Sequence, residues 1–502
     1  MIKEWFKSGS PWVWLNAAAV STSIILVVGL LFLIAVRGLG HFWPADVVEY
    51  HYIDNGKEST VVGELVDTSV MSAKMAKESG YKLKDNADTL VQHLIKTGNR
   101  DILGMDFRWI QQQNIKSERL PKELITIERR EWGNFYGRLT AVKENGRVIA
   151  TGEKVWAAVQ NRIDRAHKIY AEIEHIQKKQ IGAINYRLER LRLKQRSLEL
   201  KGKWTEEIAK EQALEKVELA KEYQGYEAQA AILYKEINRD SILAKDSTGI
   251  EKEIPLKSIV HLIRANNMGV FTKIITYFVK FGEFISEDPR EANTEGGIFP
   301  AIFGTVMMVM LMAVIVTPFG VIAAVYLREY AKQGFTTRLI RIAVNNLAGV
   351  PSIVYGVFGL GFFVYILGGN IDALFFPEAA PAPVFGTPGL LWASLTLALL
   401  TLPVVIVSTE EGLSRVPKSI REGSLALGAT KIETLWRTVL PMASPAMMTG
   451  LILAVARAAG EVAPLMLVGV VKLAPTLPLD GNFPFLHLDR KFMHLGFHIY
   501  DV

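Results

Sequence analysis

The sequence predicts an all-α polytopic membrane protein that carries an α+β domain inserted after its first membrane helix. Two observations predict this fold class: long apolar runs lie at both ends of the 502-residue chain, and most charged residues lie between them. Residues 45–290 carry 41 Lys/Arg and 37 Asp/Glu, whereas residues 291–502 carry 13 of each. The chain has no cysteine, which excludes disulfide scaffolds, thiolate catalysis and cysteine-ligated metal centres.

Five apolar runs are long enough to cross a bilayer as helices, since about 20 residues span its hydrocarbon core. They are Trp12–Val36, Ile298–Leu327, Leu339–Leu367, Leu390–Val407 and Ala443–Val471. The rival interpretation of the first run is a signal peptide, whose apolar core would be shorter. We therefore expect an uncleaved anchor at 1–44, a separate domain at 45–290 and a membrane core at 291–502.

The loops between the runs differ in charge, which predicts the orientation of the chain. Lys3 and Lys7 precede the first run, and Lys/Arg clusters also follow the second and fourth runs, whereas Gly368–Gly389 contains none. By the positive-inside rule, the N-terminus and the basic loops are cytoplasmic. Residues 45–290 would then lie on the outer side of the membrane.

The inserted domain changes its pattern along the chain. The pattern of residues 47–66 and 106–152 predicts strands, with a hairpin turn at Asn145-Gly146. Apolar residues then recur near 3.5-residue spacing from 153 to 240, interrupted at Gly202, which predicts a coiled-coil-like helical hairpin. Phe271–Phe284 is predicted to be an amphipathic helix at the membrane surface.

Several features could suggest other chemistry. The basic run Arg187–Arg196 is interspersed with acids, so we interpret it as a solvated helix face and expect no nucleic-acid partner. His494 and His498 have helical metal-ligand spacing, but we interpret them as part of a polar membrane-surface segment and expect no metal. No Walker motif is present, so the chain is not expected to hydrolyse ATP.

Arg457 and Glu461 form the most informative pair, because both lie inside the last apolar run. Their spacing places them on one helix face, with Arg457 near the middle of the run. A charge at that depth costs at least about 2.5–3.5 kcal/mol, so it should face a cavity or a partner. One interpretation is a structural ion pair that joins this helix to a neighbouring helix. The other is that the arginine guanidinium donates hydrogen bonds to a translocated oxyanion. Glu461 could accept a hydrogen bond from a protonated oxyanion, which favours hydrogen phosphate over sulfate.

The loop 410–441 is the second informative segment. Its small residues and its mid-segment Gly428 predict two short helices joined by a tight turn, a shape suited to docking a soluble partner. This loop resembles the EAA motif of ABC importer permeases, in which a Glu-Ala-Ala triplet, a glycine and a Leu-Pro pair keep fixed spacing. Glu422, Gly428, Leu440 and Pro441 match that pattern, whereas Gly423 and Ser424 replace the two alanines.

Three further stretches resemble the PstA-type permeases of phosphate importers. They are Pro318–Ala331, Asn346–Gly356 and Ala456–Leu465. The resemblance implies a type I ABC importer permease fold and a subunit that moves phosphate across a bacterial inner membrane. Residues 45–290, on the outer side, would then be periplasmic. It also implies that the docking loop uses Glu422, Gly423, Ser424, Gly428, Ala429, Leu440 and Pro441, and that Arg457 and Glu461 line the substrate pathway.

The resemblance implies partners as well: a sister permease in a heterodimer, two ATPase subunits that use ATP and Mg²⁺, a periplasmic phosphate-binding protein and membrane lipid. The chain itself is expected to be a transporter subunit that binds no cofactor and catalyses no reaction. The family has six spans, so we expect its last span to be missing beyond Val502. The alternatives are an envelope or phosphate signalling scaffold, or a permease for another oxyanion such as sulfate.

Overall fold

The computed structural model describes Trp5 and residues 8–54, 56–81, 83 and 88–501. The predicted basic flank at Lys3 and Lys7, and the end residue Val502, lie outside these residues. The chain divides into two compact units. The first comprises Met1–Arg165 and Asn238–Ile285, and the second comprises Ala166–Ile237 and Ser286–Val502. This division differs from the predicted boundaries at 44 and 290, because the helical segment 166–237 belongs with the membrane core.

The first unit contains one long apolar helix, α1 (Ser10–Gly40, span 1), followed by two antiparallel sheets. The strands of the first sheet, in the order β4-β3-β2-β1-β5, are β1 (Val47–Asp54), β2 (Lys57–Ser72), β3 (Thr89–Lys96), β4 (Phe107–Gln111) and β5 (Ile115–Arg119). The strands of the second sheet, in the order β10-β9-β7-β6-β11 with β8 beside β7, are β6 (Leu124–Arg129), β7 (Phe135–Glu144), β8 (Arg147–Thr151), β9 (Asp240–Lys245), β10 (Glu251–Pro255) and β11 (Ile259–Ile263).

Strand β1 is buried on both faces over its first four residues, which include Glu49 among apolar neighbours. One face places Val48 and Tyr50 in a core with β3 and β4. The other places Val47 against Leu124 and Tyr136 of the second sheet. At the predicted β7–β8 turn, Asn145 and Gly146 both have positive φ (49° and 77°), as a tight hairpin turn requires. Short helices α2 (Ala73–Glu78) and α3 (Arg100–Leu103) complete the sheet region.

The helical hairpin predicted from 153 to 240 is present as two long arms. The helices are α4 (Lys154–His175), α5 (Gly182–Leu200) and α6 (Glu206–Ile237), with a π-helical stretch at Ile176–Ile181 joining α4 to α5. The chain turns from the first arm into the second at Gly202, whose φ of +64° favours glycine. Ile184, Leu191 and Leu219 are buried between the arms.

Among the described residues, five helices are long and apolar enough to cross a bilayer, and four of them belong to the membrane core. Besides span 1, the candidate spans are Phe299–Tyr330 (span 2), Ser352–Phe375 (span 3), Leu390–Arg415 (span 4) and Lys431–Gly460 (span 5). Helix α7 (Val270–Ser286) ends the first unit. The helices of the membrane core are α8 (Phe299–Val325), α9 (Phe335–Leu347), α10 (Ser352–Phe358), α11 (Gly369–Phe375), α12 (Leu390–Arg415), α13 (Lys418–Ala426), α14 (Lys431–Thr434), α15 (Leu440–Gly460), α16 (Leu465–Val468) and α17 (Leu495–Asp501). Two short strands, β12 (Pro289–Arg290) and β13 (Glu295–Gly296), precede span 2.

The prediction of a membrane helix at Leu339–Leu367 was wrong at its start. The structure has a separate amphipathic helix, α9, and span 3 begins only at Ser352. Pro351 stands between them; it has no backbone N–H to continue the helix, and it restricts the residue before it. Arg341 therefore lies on α9 rather than inside a span.

Span 4 is the centre of the membrane core. Its Leu397 and Ala398 are buried in one cluster with Met308 and Met312 of span 2 and Ala454 of span 5. The exposed faces of the surrounding spans are apolar, as expected for helices that meet lipid or another membrane subunit.

The hairpin lies at the end of the membrane core opposite the loop 410–441. Tyr186 on α5 donates a hydrogen bond to the carbonyl of Phe483, and the Arg190 guanidinium lies 5.5 Å from the centre of the Phe483 ring. The loop that carries Phe483 is tied to the start of span 4, since the N–H of Leu390 donates to the carbonyl of Arg490 at 2.9 Å. The loop 410–441 instead follows the other end of span 4 at Arg415.

Candidate functional site

The loop 410–441 contains the two short helices and tight turn that the sequence predicts. Helix α13 carries Glu422, Gly423 and Ser424 and ends before Gly428, whose φ of +88° turns the chain. The N–H of Ala429 donates to the carbonyl of Ser424 at 3.3 Å. Helix α14 then begins with a capping box, in which Thr430 and Glu433 satisfy each other's backbone N–H groups.

Leu440 and Pro441 begin α15, the long helix that forms most of span 5. Leu440 packs beside the buried residues Val439 and Leu413, the latter near the C-terminal end of span 4. Pro441 follows a π-helical stretch at Leu435–Val439. Because proline has no N–H, it cannot complete a regular helical hydrogen bond there.

The outward face of this loop is apolar and exposed. Leu427, Ile432 and Trp436 are 91%, 70% and 73% exposed. Beneath them, Leu435 and Val439 are buried against the end of span 4. Large apolar side chains held in this way by a packed base are typical of a protein-docking surface.

Glu329, near the C-terminal end of span 2, contacts this loop at two points. Its carboxylate pairs with Arg421 on α13, and its carbonyl accepts a hydrogen bond from the Lys431 ammonium on α14. The ammonium also lies 4.4 Å from the centre of the Tyr330 ring. The sequence reasoning assigned no role to Glu329, and its partner Arg421 is 92 positions away. We call Glu329, Arg421 and Lys431 the inner brace.

A second charged contact joins α9 to span 4. The Arg341 Nε lies 3.2 Å from a Glu410 carboxylate oxygen, and its other nitrogens donate to Gln333 at 2.9 Å and to the Leu327 carbonyl at 3.2 Å. Beside them is a cavity of about 110 Å³. It is lined by Leu327, Arg341, Val344, Asn345, Ile406, Val407 and Glu410.

Arg457 and Glu461 are brought together, but loosely. The Arg457 Nε lies 3.6 Å from a Glu461 carboxylate oxygen, which is an ion pair and not a hydrogen bond. The two side chains are 34% and 21% exposed. Among the residues that the structure describes, none accepts a hydrogen bond from the Arg457 guanidinium.

The predicted membrane helix through Val471 was wrong at its end. Span 5 ends at Gly460, so Arg457 lies in its last turn and Glu461 has extended backbone with ψ of 126°. Spans 4 and 5 run antiparallel, since a Cβ on Gly412 would meet Ala446 and a Cβ on Gly450 would meet Ser408. Continued along span 5, this register places Arg457 beside the first half of span 4 and not beyond its end.

Close packing fixes the segment that follows Glu461. A Cβ on Gly356 of span 3 would lie 2.6 Å from the Pro464 Cα, so only glycine admits this approach. One turn further, a Cβ on Gly359 would come within 3.0 Å of Val468 on α16. Tyr355, beside Gly356, is within electrostatic range of Arg457. The two glycines thus hold the Glu461 end of the pair against span 3.

The histidine segment differs from its predicted surface position. His494 has no exposed surface, because the chain around it packs on span 2, where the N–H of Leu495 donates to the Thr305 hydroxyl at 2.8 Å. Among the described residues, no group of three or more His, Cys, Asp or Glu could hold a metal ion. The spacing of His494 and His498 therefore reflects helix packing at least as well as ligation.

These features define a class of protein: a multi-pass membrane permease with a docking loop at one end of its helices and a charged pair within them. Residues 316–486 match the family described as "Binding-protein-dependent transport system inner membrane component". The probable ABC transporter permease protein YqgI of Bacillus subtilis is 31% identical over 248 residues, which cover 48% of this chain and 78% of that protein. The chain belongs to this family of ABC transporter permeases.

Other relatives are named as phosphate permeases, which agrees with the resemblance to the PstA type. The phosphate transport system permease protein PstA of Mycobacterium leprae is 39% identical over 38% of this chain and 58% of that protein. PstA 1 of Mycobacterium tuberculosis is 40% identical over 35% of this chain and 52% of that protein. The chain thus spans between half and two thirds of the length of these relatives. The solved inward-facing methionine ABC transporter MetNI covers 32% of this chain and 73% of its own, at 21% identity, with a TM-score of 0.25, too low to support an argument.

Proposed function

We propose that this chain is a transmembrane subunit of an ATP-driven phosphate importer and that Arg457 contacts the phosphate during translocation. The observation that carries the proposal is the Arg457–Glu461 pair, which lies part-way along the core with the guanidinium donors unused. A guanidinium presents two parallel N–H donors to an oxyanion, and such charge-assisted bonds are worth about 1.5–3 kcal/mol each.

Glu461 would select among oxyanions by accepting a hydrogen bond from a protonated oxygen of the anion. Hydrogen phosphate carries a proton at neutral pH and can donate to the Glu461 carboxylate, whereas sulfate has no proton to donate and would be repelled. The names of the PstA relatives support the same solute. A sulfate permease remains the alternative that the uptake experiment below distinguishes.

The remaining parts of the importer would be separate subunits. A sister permease would pack beside this subunit, and two ATPase subunits would use ATP and Mg²⁺ at the docking loops. The exposed Leu427, Ile432 and Trp436 offer the docking surface. A phosphate-binding protein would deliver the anion at the opposite end of the core.

The charge pattern supports the orientation. The inner brace and Arg341 lie at the end of the core that carries the docking loop, as the positive-inside rule requires of a cytoplasmic face. The helical hairpin contacts the loop around Phe483, at the opposite end. The hairpin would therefore be periplasmic in a bacterial inner membrane.

The inner brace supports a mechanism for coupling. Closure of the ATPase pair would move α13 and α14, and Glu329 would pass that movement to span 2 because both short helices are bonded to it. Rotation of the spans would then expose Arg457 to each side of the membrane in turn.

The test is phosphate uptake by a strain that lacks its own phosphate permease and carries this gene, with sulfate uptake as the control. We expect restored uptake of phosphate only. Transport of sulfate would contradict the assigned solute. A lack of any uptake, together with no capture of an ATPase subunit through 410–441, would instead favour a signalling scaffold, which needs no ATPase dock.

A further inference from the structure

Helix α7 presents an apolar face that no described part of the first unit covers. Its exposed side chains are almost all apolar, and Phe271, Ile275 and Phe278 are 84%, 65% and 65% exposed. These residues recur at four- and three-residue spacing, so they form one continuous stripe. A stripe of large aromatic and aliphatic side chains is unusual on a surface that meets only water.

The other face of α7 is fixed to the sheets by charge, which prevents the helix from turning its apolar stripe inward. Lys273 pairs with Asp46 at 2.6 Å, and Lys280 pairs with Glu128 on β6. Glu283 lies 2.6 Å from the His261 ring on β11. The two lysines thus have partners within the protein and are not free for a separate anionic partner.

The same helix is also attached to the end of span 1. The rings of Tyr277, Phe281 and Phe284 pack around Phe42, with centroid distances of 6.2, 5.4 and 5.1 Å. Phe42 is only two residues beyond Gly40, where span 1 ends. Helix α7 is therefore held at the level where the chain leaves the bilayer, and its 17 residues extend for about 26 Å.

We propose that α7 lies at the lipid–water interface beside span 1, with Phe271, Ile275 and Phe278 inserted among the acyl chains. The occupant of the stripe is the outer surface of the bilayer, because span 1 brings that surface within two residues of the Phe42 contact. Trp43, at the same level, is 41% exposed, and tryptophan is typical of membrane interfaces. The helix would fix the tilt of the two sheets above the membrane, and this inference holds for any transported solute.

The experiment uses single-cysteine variants of the full chain in lipid vesicles, since the chain has no native cysteine. Phe278→Cys and, as a second position, Ile275→Cys carry an environment-sensitive fluorophore. Leu26→Cys in span 1 is the lipid control, and Arg147→Cys at the β7–β8 turn is the water control. Two quenchers are compared: nitroxide-labelled lipid and aqueous iodide.

We expect nitroxide lipid to quench the labels at 278 and 275 several-fold more strongly than the label at 147, with iodide quenching reduced to the same degree. Vesicles of purely zwitterionic lipid should give the same result, because Lys273 and Lys280 are already paired. Iodide quenching at 278 equal to that at 147 would overturn the proposal. Protection from both quenchers would overturn it as well, because it would show that another protein surface covers the stripe.

Discussion

Charged residues occur in two regions of the membrane core, and the two regions use them differently. At the end of the core that carries the loop 410–441, Arg421 and Arg341 are bonded to carboxylates and also to backbone carbonyls. In the last turn of span 5, the Arg457 Nε is 3.6 Å from a Glu461 carboxylate oxygen and shares no hydrogen bond with it. Guanidinium groups of the same chemistry thus have several hydrogen-bond partners in one place and none among the described residues in the other.

The difference separates a structural contact from a candidate binding site. A saturated arginine tightens the helices around it, and its removal mainly costs stability. An unsaturated arginine deep among apolar helices costs free energy, at least about 2.5–3.5 kcal/mol on insertion scales, and returns little packing. Such a cost is explained if the donors serve a ligand, so each group of charges should respond differently to substitution.

The largest effect is expected for Arg457→Ala and Glu461→Gln. Loss of two charge-assisted hydrogen bonds, about 3–6 kcal/mol together, should reduce phosphate uptake by 100-fold or more. Initial rates of radiolabelled phosphate uptake at matched membrane levels measure this effect. Ile452→Ala, on the exposed side of the same helix, is the control and should transport normally. Normal uptake by Arg457→Ala would remove the pathway role.

Glu329→Ala should act on stability before transport. It would leave the partly buried Arg421 without its carboxylate, a loss of about 3 kcal/mol. The thermal melting of the detergent-purified chain should fall accordingly. The charge exchange Glu329→Arg with Arg421→Glu should recover part of the lost stability. Equal melting temperatures of the unchanged chain, Glu329→Ala and the charge-exchanged protein would show that the inner brace does not stabilise the fold.

Two glycines of span 3 offer a matched pair. A methyl group on Gly356 would collide with the Pro464 backbone, whereas Gly361 has no atom within 4 Å of such a group. Gly356→Ala should displace the Glu461 segment at a cost of about 1–3 kcal/mol and slow uptake roughly tenfold. Gly361→Ala should transport normally. Equal uptake by both variants would mean that the contact with Pro464 does not position the pair.

The smallest effect is expected at Asp480, in the loop that meets the hairpin. Burial alone would raise the pKa of this carboxyl, but hydrogen bonds from the Asn482 N–H, Arg490 and His487 lower the pKa from 3.8 to about 2. Its stabilising contribution is present above pH 4 and is lost as the pH falls toward 2, and we expect about 1–2 kcal/mol after solvent screening. Asp480→Asn should therefore lower the melting temperature at pH 7 and not at pH 2. A difference that persists unchanged at pH 2 would contradict this assignment.

The sequence predicted the elements of the site better than their boundaries. The four-residue spacing of Arg457 and Glu461 and the turn at Gly428 follow from local periodicity and glycine geometry. The start of span 3 and the end of span 5 could not be predicted in this way. The sequence stays apolar across Pro351 and through Val462–Val471, but the helix is interrupted at both places. Proline was the local signal in both cases: Pro351 lies just before span 3, and Pro464 begins the short helix α16 after span 5.

Long-range contacts were beyond the reach of sequence patterns. Glu329 and Arg421 are 92 positions apart, and each also has other charged neighbours in the chain. Their pairing depends on how spans 2, 4 and 5 pack, which is set by small residues such as Gly320 and Gly450 that admit close approach. The same limit applies to the hairpin, whose contact with Phe483 joins segments nearly 300 residues apart.

The account depends on Arg457 facing an aqueous path, and Arg457→Cys tests this directly in a chain without other cysteines. The variant is assembled with its partner subunits in membranes and treated with a small, charged, thiol-specific reagent. Ala458→Cys, at a position with no exposed surface, is the buried control. We expect rapid modification at 457 and none at 458. Modification at 457 that is no faster than at 458 would show the position to be sealed and would contradict the proposed pathway.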